Sequence, residues 1–120
     1  MTKILVVDDE SEIVDQIKEY FEDEGYKVFT AETGQEGIQI AARELPNLLV
    51  LDMKLPDMSG ILVLKSIKHI HPKIKVITIT GYIDQAMFDQ AEELGRDTFL
   101  QKPFDLETLK KEVDKLVGGQ

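Results

Sequence analysis

The amino-acid sequence predicts an α/β protein in which a doubly wound sheet of five parallel strands carries helices on both faces. The first observation behind this prediction is alternation: five short aliphatic runs are each followed by a stretch with helical spacing of apolar residues. The second is that several of these runs are apolar throughout, as strands covered on both faces are. The third is the length of 120 residues, 42% of them hydrophobic, which fits one domain spanning residues 1–120.

The predicted strands are rich in Val, Ile, Leu and Phe. Their ranges are Lys3–Asp8, Tyr26–Ala31, Leu48–Asp52, Lys75–Ile79 and Asp97–Gln101. Parallel strands connected through helices take right-handed crossovers. Ligands of such sheets bind beyond the carboxyl ends of the strands, so the residues just after each strand are the candidates for function.

Each strand is followed by an amphipathic helix. The first helix has its apolar residues at helical spacing, at Ile13, Val14, Ile17 and Phe21. Gly25 suits the end of this helix. Thr33 and Glu36 have the spacing of a capping box at the start of the second helix, and Pro46 prevents that helix from continuing.

The remaining three helices are marked by the same signals. The third and fourth are predicted over Gly60–Ile70 and Asp84–Leu94. Asp105 is placed to cap the fifth helix. The apolar residues of the fifth helix are Leu106, Leu109, Val113 and Leu116.

Composition and charge exclude several classes of protein. The formal net charge of −9 disfavours direct nucleic-acid binding, which needs clustered Lys and Arg. The absence of cysteine excludes disulfides and thiolate metal sites and suits a reducing cytoplasm. No apolar run is long enough for a signal peptide or a membrane helix, so we expect a cytoplasmic protein that does not insert into a membrane.

Polar residues follow all five predicted strands, and those after the second strand, Glu32-Thr33, have the pattern of helix capping. In chain order, the candidates at the other four strand ends are Asp8-Asp9-Glu10, Asp52, Thr80-Gly81 and Lys102-Pro103. Each has an ordinary structural explanation, since an Asp pair caps a helix, Thr-Gly forms turns and Lys-Pro occurs in loops. The topology nevertheless brings these strand ends to one edge of the sheet, where the side chains would share one pocket.

Electrostatics then favours a bound cation. Unit charges about 4 Å apart repel by roughly 4 kcal/mol at an effective dielectric constant near 20. Asp8, Asp9 and Asp52 therefore cannot all stay ionised without positive charge nearby. Lys102 supplies one positive charge, and a divalent cation would supply the rest. Carboxylate oxygens without His or Cys favour Mg²⁺, with Mn²⁺ as a substitute.

A carboxylate beside Mg²⁺ and an ammonium can act as a nucleophile toward a phosphoryl group and form an acyl phosphate. Phosphoryl transfer has a loose transition state, so the protein needs only to position and neutralise the transferred group. Asp52 is the candidate nucleophile. The Lys102 ammonium and the Thr80 hydroxyl would each bind one phosphoryl oxygen.

Four segments together resemble the receiver domain of two-component response regulators, the CheY-like family. They are Ile4–Glu10, Leu51–Gly60 with its Asp52-x-x-x-Pro56-x-x-x-Gly60 pattern, Ile79-Thr80-Gly81 and Phe99–Phe104. The resemblance covers essentially the whole chain. It implies the flavodoxin-like strand order 2-1-3-4-5, the order known from the chemotaxis regulator of this family.

The resemblance also implies a role for each matching position. Asp52 corresponds to the phosphoacceptor, and Asp8 and Asp9 to the acidic pair that binds Mg²⁺ together with Asp52 and the backbone carbonyl of Lys54. Further matches are the switch hydroxyl Thr80, the switch aromatic Phe99, the phosphate-binding Lys102, and Pro103, which a cis peptide bond often precedes in this family.

Three positions vary within the family. Phe99 lacks the hydroxyl of a tyrosine, so its switching would depend on packing alone. Lys54 and Tyr82 lie where the family tunes dephosphorylation, and we expect their long side chains to hinder the hydrolytic water. Gly81 matches the family's need for access beside the phosphate.

The implied partners are a histidine kinase or a histidine phosphotransfer protein, and a downstream target or fused output domain that reads the surface formed by the fourth helix, fifth strand and fifth helix. The implied activity is that of a signalling switch which catalyses only its own phosphorylation and slow dephosphorylation. His69 and His71, close to Pro72, are interpreted as exposed residues of a helix end rather than metal ligands.

Three alternative functions fit the sequence less well. A Mg²⁺ phosphatase of the haloacid-dehalogenase type, or a topoisomerase-primase domain, needs Asp-x-Asp, which Asp52-Met53-Lys54 lacks. A nucleotide or flavin binder needs a glycine-rich turn after the first strand, where this chain has acidic residues. A phosphorylation-independent receiver usually lacks an acidic residue or the lysine, and both are present.

Overall fold

The computed structural model describes residues 1–117, in which five parallel strands form one sheet in the order β2-β1-β3-β4-β5. The elements are β1 (Lys3–Val7), α1 (Ser11–Asp23), β2 (Lys27–Ala31), α2 (Gly34–Glu44), β3 (Leu48–Asp52), α3 (Gly60–Ile70), β4 (Lys75–Thr80), α4 (Gln85–Glu93), β5 (Thr98–Gln101) and α5 (Leu106–Val117). The predicted doubly wound α/β fold is confirmed. Residues 118–120, which the predicted domain includes, lie outside the described range.

The sheet separates two apolar layers because successive side chains of a strand point to opposite faces. On β1, Leu5 and Val7 pack in the layer formed with α2, α3 and Ala91 of α4, while Ile4 and Val6 pack in the layer formed with α1 and α5. All five residues of β3 are buried, as expected for the central strand of a sheet covered on both faces. Because β3 is the central strand, its last residue, Asp52, lies at the middle of the carboxyl edge of the sheet.

The helix ends follow the predicted signals closely. The Thr33 hydroxyl accepts a hydrogen bond from the backbone N–H of Glu36, and the Glu36 carboxylate accepts one from the backbone N–H of Glu32. Gly25 follows α1 with a φ of 96°, a left-handed conformation that glycine adopts without a steric cost. Asp105 accepts a hydrogen bond from the backbone N–H of Thr108 and so caps α5.

Four predicted strand boundaries were wrong by one residue, each for a local reason. Asp8 and Asp97 lie just outside their strands because each carboxylate accepts a backbone hydrogen bond, from Glu10 and from Val76 respectively. The Tyr26 N–H donates to the carbonyl of Phe21 at the end of α1 and so precedes β2. Thr80 extends β4 because it pairs in register with Gln101.

The fourth helix was predicted over Asp84–Leu94, and α4 is one residue shorter at each end. Asp84 is its N-cap, whose carboxylate accepts hydrogen bonds from the backbone N–H groups of Ala86 and Met87. Among residues 1–117, no helix combines the length and the apolar composition that crossing a lipid bilayer requires.

Candidate functional site

Four of the predicted site residues lie together at the carboxyl edge of the sheet. Asp8 follows β1, Asp52 ends β3, Thr80 ends β4 and Lys102 follows β5. The Lys102 ammonium nitrogen is 3.2 Å from Oδ2 of Asp52 and 3.0 Å from Oδ2 of Asp8. The backbone N–H of Lys102 donates to the carbonyl of Thr80, and the peptide bond between Lys102 and Pro103 is cis.

Two of the carboxylates are buried. Asp8 is fully buried and Asp52 is 4% exposed. Oδ1 of Asp52 accepts a hydrogen bond from the Lys54 N–H at 3.0 Å, and Oδ1 of Asp8 accepts one from the Glu10 N–H at 2.9 Å. Oδ2 of Asp8 is within ion-pair distance of Lys102 but has no hydrogen-bond partner among the described residues. A buried, incompletely satisfied carboxylate oxygen is costly and indicates a site built for a further positive group.

The charged groups of this cluster change the pKa values of Asp52 and Lys102. Burial is the main reason that the pKa of Asp52 lies above its ordinary value, and the negative charge of Asp8 raises it further against the opposing effects of Lys54 and Lys102. Burial alone would lower the pKa of the Lys102 ammonium, but its contacts with Glu10 and Asp8 and the charge of Asp52 outweigh burial and raise it. The lysine therefore stays charged across the physiological range.

Glu10 belongs to the cluster although the sequence did not single it out for this role. Its Oε1 forms a close ion pair with the Lys102 ammonium. Carboxylate oxygens of Asp8, Glu10 and Asp52 lie within 4.8 Å of one another, whereas Asp9 is exposed and lies outside this group. The position of Glu10 could have indicated this role. Glu10 directly precedes α1 and comes two residues after Asp8, and its backbone N–H donates to the Asp8 carboxylate.

The donor set fits a divalent cation. Three carboxylates meet one ammonium, so the cluster carries excess negative charge. Its ligand atoms are carboxylate oxygens, which Mg²⁺ and other hard cations prefer. A cation beside Oδ2 of Asp8 would also satisfy the buried oxygen that lacks a hydrogen bond.

A pocket of about 500 Å³ opens over this cluster. Asp9, Lys54, Gly81 and Tyr82 line it together with three residues of the cluster, which are Glu10, Asp52 and Lys102. A Cβ atom added at Gly81 would have no heavy atom within 4 Å, so this side of the pocket is open. The Tyr82 side chain is 74% exposed beside it. The predicted positions for tuning dephosphorylation therefore border the approach to Asp52.

Thr80 and Phe99 lie on the side of the site that faces α4. The Thr80 hydroxyl donates to the carbonyl of Tyr82 at 2.7 Å and accepts from the Tyr82 N–H at 3.2 Å. Phe99 is half-buried on β5 and packs edge to face against Phe88 of α4, with 4.7 Å between the ring centroids. In this arrangement the Thr80 hydroxyl is engaged with its own loop.

Comparison with known proteins identifies the family. The family model described as "Response regulator receiver domain" matches residues 4–114. The chain belongs to the response-regulator receiver family. Phosphorylation of an aspartate that alters interactions with partners is the general function of this family, and its members are phosphorelay switches that bind Mg²⁺ at an acidic site.

Similar proteins come from several organisms. The chain is 42% identical over 113 residues to sporulation initiation phosphotransferase F of Bacillus subtilis, covering 94% of this chain and 91% of that protein. It is 35% identical to response regulator SaeR of Staphylococcus aureus, covering 98% of this chain but only 51% of SaeR. A CheY-like receiver domain from Methanospirillum hungatei superposes with a TM-score of 0.89 at 34% identity, covering 100% of this chain and 99% of that structure.

The β3–α3 loop of this receiver is held in place by two tight contacts. Asp57 accepts hydrogen bonds from the backbone N–H groups of Gly34 and Gln35, which joins the loop to the start of α2 and lowers the pKa of Asp57. At Gly60, an added Cβ would lie 2.5 Å from the Cα of Met53, the residue directly after Asp52. The loop that carries Lys54 is therefore packed backbone against backbone.

We expect Gly60→Ala to lower the free energy of unfolding by about 1–3 kcal/mol, because a methyl group there forces the Met53 backbone to move. Urea unfolding followed by circular dichroism measures the loss. Gly81→Ala is the matched control, since its added methyl meets open space, and its unfolding midpoint should match the wild type. Equal midpoints for all three proteins would show that the loop yields without cost.

Proposed function

We propose that this receiver domain accepts a phosphoryl group onto Asp52 from a histidine kinase or a histidine phosphotransfer protein. The observation that carries the proposal is the position of Asp52: its carboxylate is buried at the end of β3, lies 3.2 Å from the Lys102 ammonium and borders a pocket open to solvent. This arrangement gives a nucleophile a fixed counter-charge and a path for a phosphoryl donor.

The proposed cation is Mg²⁺, with Mn²⁺ as a substitute. Its proposed ligands are Asp8, Asp9, Asp52 and the backbone carbonyl oxygen of Lys54, with Glu10 as a further carboxylate beside them. When bound, the ion supplies positive charge to the oxygens of the transferred phosphoryl group.

The chain's own residues divide the work of the transfer. A carboxylate oxygen of Asp52 forms a new bond to phosphorus while the bond from phosphorus to the donor's leaving group breaks, and the leaving group departs with the electron pair. The Lys102 ammonium binds a phosphoryl oxygen and so exchanges part of its contact with the carboxylates. The whole reaction needs only positioning and charge neutralisation from the protein.

Switching is proposed to begin at Thr80. Phosphorylation adds negative charge and acceptor oxygens at Asp52. The Thr80 hydroxyl would then exchange its hydrogen bonds with Tyr82 for one to a phosphoryl oxygen, and Phe99 would move into the space that Thr80 leaves. The surface of α4, β5 and α5 changes as a shift between two populated states, which a downstream target or an output domain would read.

The test is phosphorylation by a small acyl phosphate, followed by intact mass spectrometry. Incubation with Mg²⁺ should add one phosphoryl group, and a chelator should prevent the addition. Borohydride reduces an aspartyl phosphate to homoserine, so peptide mapping after reduction should locate the change at position 52. A protein that gains no phosphoryl mass from acyl phosphates or phosphoramidates, or that is modified at another residue, would overturn the proposal.

Lys54 and Tyr82 are proposed to prolong the phosphorylated state by shielding it from water. Both border the pocket over Asp52. We expect Lys54→Ala and Tyr82→Ala each to shorten the phosphoryl half-life about fivefold, equivalent to about 1 kcal/mol in the hydrolysis barrier. The decay of phosphoprotein on removal of the donor measures this. Lys73→Ala, at the opposite edge of the sheet, should leave the half-life unchanged, and unchanged decay in all three variants would refute the shielding role.

We further propose that residues 1–120 act as one receiver in the cytoplasm, without direct contact to nucleic acid and without membrane insertion. The net charge of −9 supports the first exclusion, because binding to phosphate backbones requires clustered positive charge.

A further inference from the structure

Arg96, in the loop between α4 and β5, is a cation buried outside the phosphoryl pocket. Only 6% of its side chain is exposed. Arginine is rarely buried to this degree without partners that compensate for the loss of hydration. The residues around its guanidinium group therefore indicate what it does.

Those partners are mainly two aromatic rings. The guanidinium carbon lies 4.1 Å from the centroid of the Phe88 ring on α4 and 5.4 Å from the centroid of the Phe99 ring on β5. One guanidinium nitrogen donates to the backbone carbonyl of Phe88 at 3.3 Å, and another lies 3.6 Å from the carboxylate of Glu92. Glu92 is exposed, so its ion pair is screened by solvent and contributes less than the ring contacts.

The two rings also contact each other. Phe88 and Phe99 meet edge to face at a centroid distance of 4.7 Å. Arg96 thus completes a three-membered cluster, which we call the Arg96 latch and which consists of Phe88, Arg96 and Phe99. The latch joins α4 to the residue that the proposed switch requires to move.

The surroundings leave room for this movement. In α4, Ala91 is buried and Met87 packs partly buried against the core, so few side chains tie this helix to the core. A cavity of about 450 Å³ lies between α4 and the β3–α3 loop, and Thr80, Phe88, Arg96 and Phe99 are among the residues that line it. A ring that leaves the latch therefore has a space beside Thr80 to enter.

We propose that Arg96 is a positioning residue that holds Phe99 against α4 and thereby stabilises the unphosphorylated arrangement of the α4–β5 surface. This proposal rests on the proposed function. Its direction follows from Thr80, whose hydroxyl is bonded to the Tyr82 carbonyl while Phe99 is in the latch. The latch therefore belongs to the arrangement that precedes the movement of Thr80.

A consequence for affinity follows from the two-state scheme. A phosphoryl group or its mimic binds more weakly when the protein must first leave a stabilised alternative state. Removing the guanidinium should therefore tighten the binding of beryllofluoride with Mg²⁺, although Arg96 is remote from the carboxylate cluster. A residue with a merely structural role would lower stability without improving this affinity.

The experiment compares the wild type with Arg96→Met, which keeps side-chain length but removes the cation, and with Phe88→Leu, which removes the ring on α4. Beryllofluoride affinity in the presence of Mg²⁺ is measured by titration, and the aromatic resonances of Phe99 are recorded by NMR before and after saturation. Glu92→Gln is the control, because it removes only the exposed ion pair.

We expect Arg96→Met to bind beryllofluoride about two- to thirtyfold more tightly, the range that a cation–π contact spans when converted to an equilibrium constant. Its Phe99 resonances should lie, before any ligand is added, part of the way toward the wild-type saturated positions. Phe88→Leu should change both quantities in the same direction, and Glu92→Gln should change the affinity less than about twofold.

Two results would overturn the proposal and are distinguishable. If Phe99 of the wild type responds to beryllofluoride but the Arg96 and Phe88 variants show wild-type affinity and resonances, the latch is wrong and the proposed switch stands. If Phe99 of the wild type does not respond although the Asp52 region does, the proposed switch is wrong and the latch falls with it.

Discussion

Asp52→Asn is expected to reduce phosphoryl uptake from an acyl phosphate by at least about a thousandfold, the scale on which loss of a covalent nucleophile acts. The amide has no anionic oxygen to attack phosphorus, while Lys102 and the other carboxylates of the site stay in place. Intact mass after incubation with Mg²⁺ measures the loss. Asp89→Asn, on the exposed surface of α4, is the matched control and should be phosphorylated like the wild type. Substantial phosphorylation of the Asp52→Asn protein would mean that another residue is the acceptor.

The same substitution should make the metal-free protein more stable at neutral pH. Burial raises the pKa of Asp52, so ionising this carboxyl costs more in the folded chain than in the unfolded chain. Wild-type stability therefore falls as the pH rises from the ordinary aspartate range through the folded-state pKa, whereas an amide has no proton to lose. The advantage of Asp52→Asn should grow over this interval and stay level above it.

Urea unfolding without divalent cations, repeated from about pH 3 to pH 8, measures this difference across the ordinary aspartate pKa. The exposed control Asp89→Asn should show no comparable gain in stability with pH. An Asp52→Asn protein less stable than the wild type at neutral pH would mean that the ion pair with Lys102 outweighs the cost of burying Asp52.

Most of the fold could be predicted because local and global signals in the sequence agree. The apolar run Leu48–Leu51 is typical of a strand covered on both faces, and all of it is buried. Thr33 and Gly25 mark helix ends through backbone chemistry that needs no distant partner. The boundaries at Asp8 and Asp97 could not be predicted, because at each position the aspartate carboxylate accepts a hydrogen bond from a backbone N–H group and the strand pairing stops there.

The candidate site was predictable to the extent that topology alone determines it. Asp8, Asp52 and Lys102 lie together because the carboxyl ends of parallel strands all lie at one edge of the sheet. Glu10 was missed because its contact with Lys102 depends on how the turn after β1 folds. Arg96 was missed because a single arginine in a loop forms no pattern, and its burial requires two rings from different elements.

Lys102→Met is expected to lower the free energy of unfolding by about 3 kcal/mol at neutral pH without divalent cations, the lower end of the range for removing one partner of a buried ion pair. The substitution keeps most of the side-chain volume but leaves the buried carboxylates of Asp8 and Asp52 without their ammonium. Urea unfolding at neutral pH measures the loss. Lys73 is an exposed residue that precedes β4, so Lys73→Met is the matched control. It should change the free energy of unfolding by less than about 0.5 kcal/mol.

Two further measurements assign the loss to charge rather than to packing. Mg²⁺ should restore more stability to Lys102→Met than to the wild type, because it replaces the missing positive charge among the same carboxylates. Because the folded-state pKa of Lys102 is raised, its stabilising effect is complete below the ordinary lysine pKa and is lost only as the pH rises through the folded-state value. The difference between the two proteins should therefore persist through neutral and mildly alkaline pH and shrink in acid, where Asp52 is protonated. A deficit that neither Mg²⁺ nor acid reduces would show that Lys102 stabilises the site through packing.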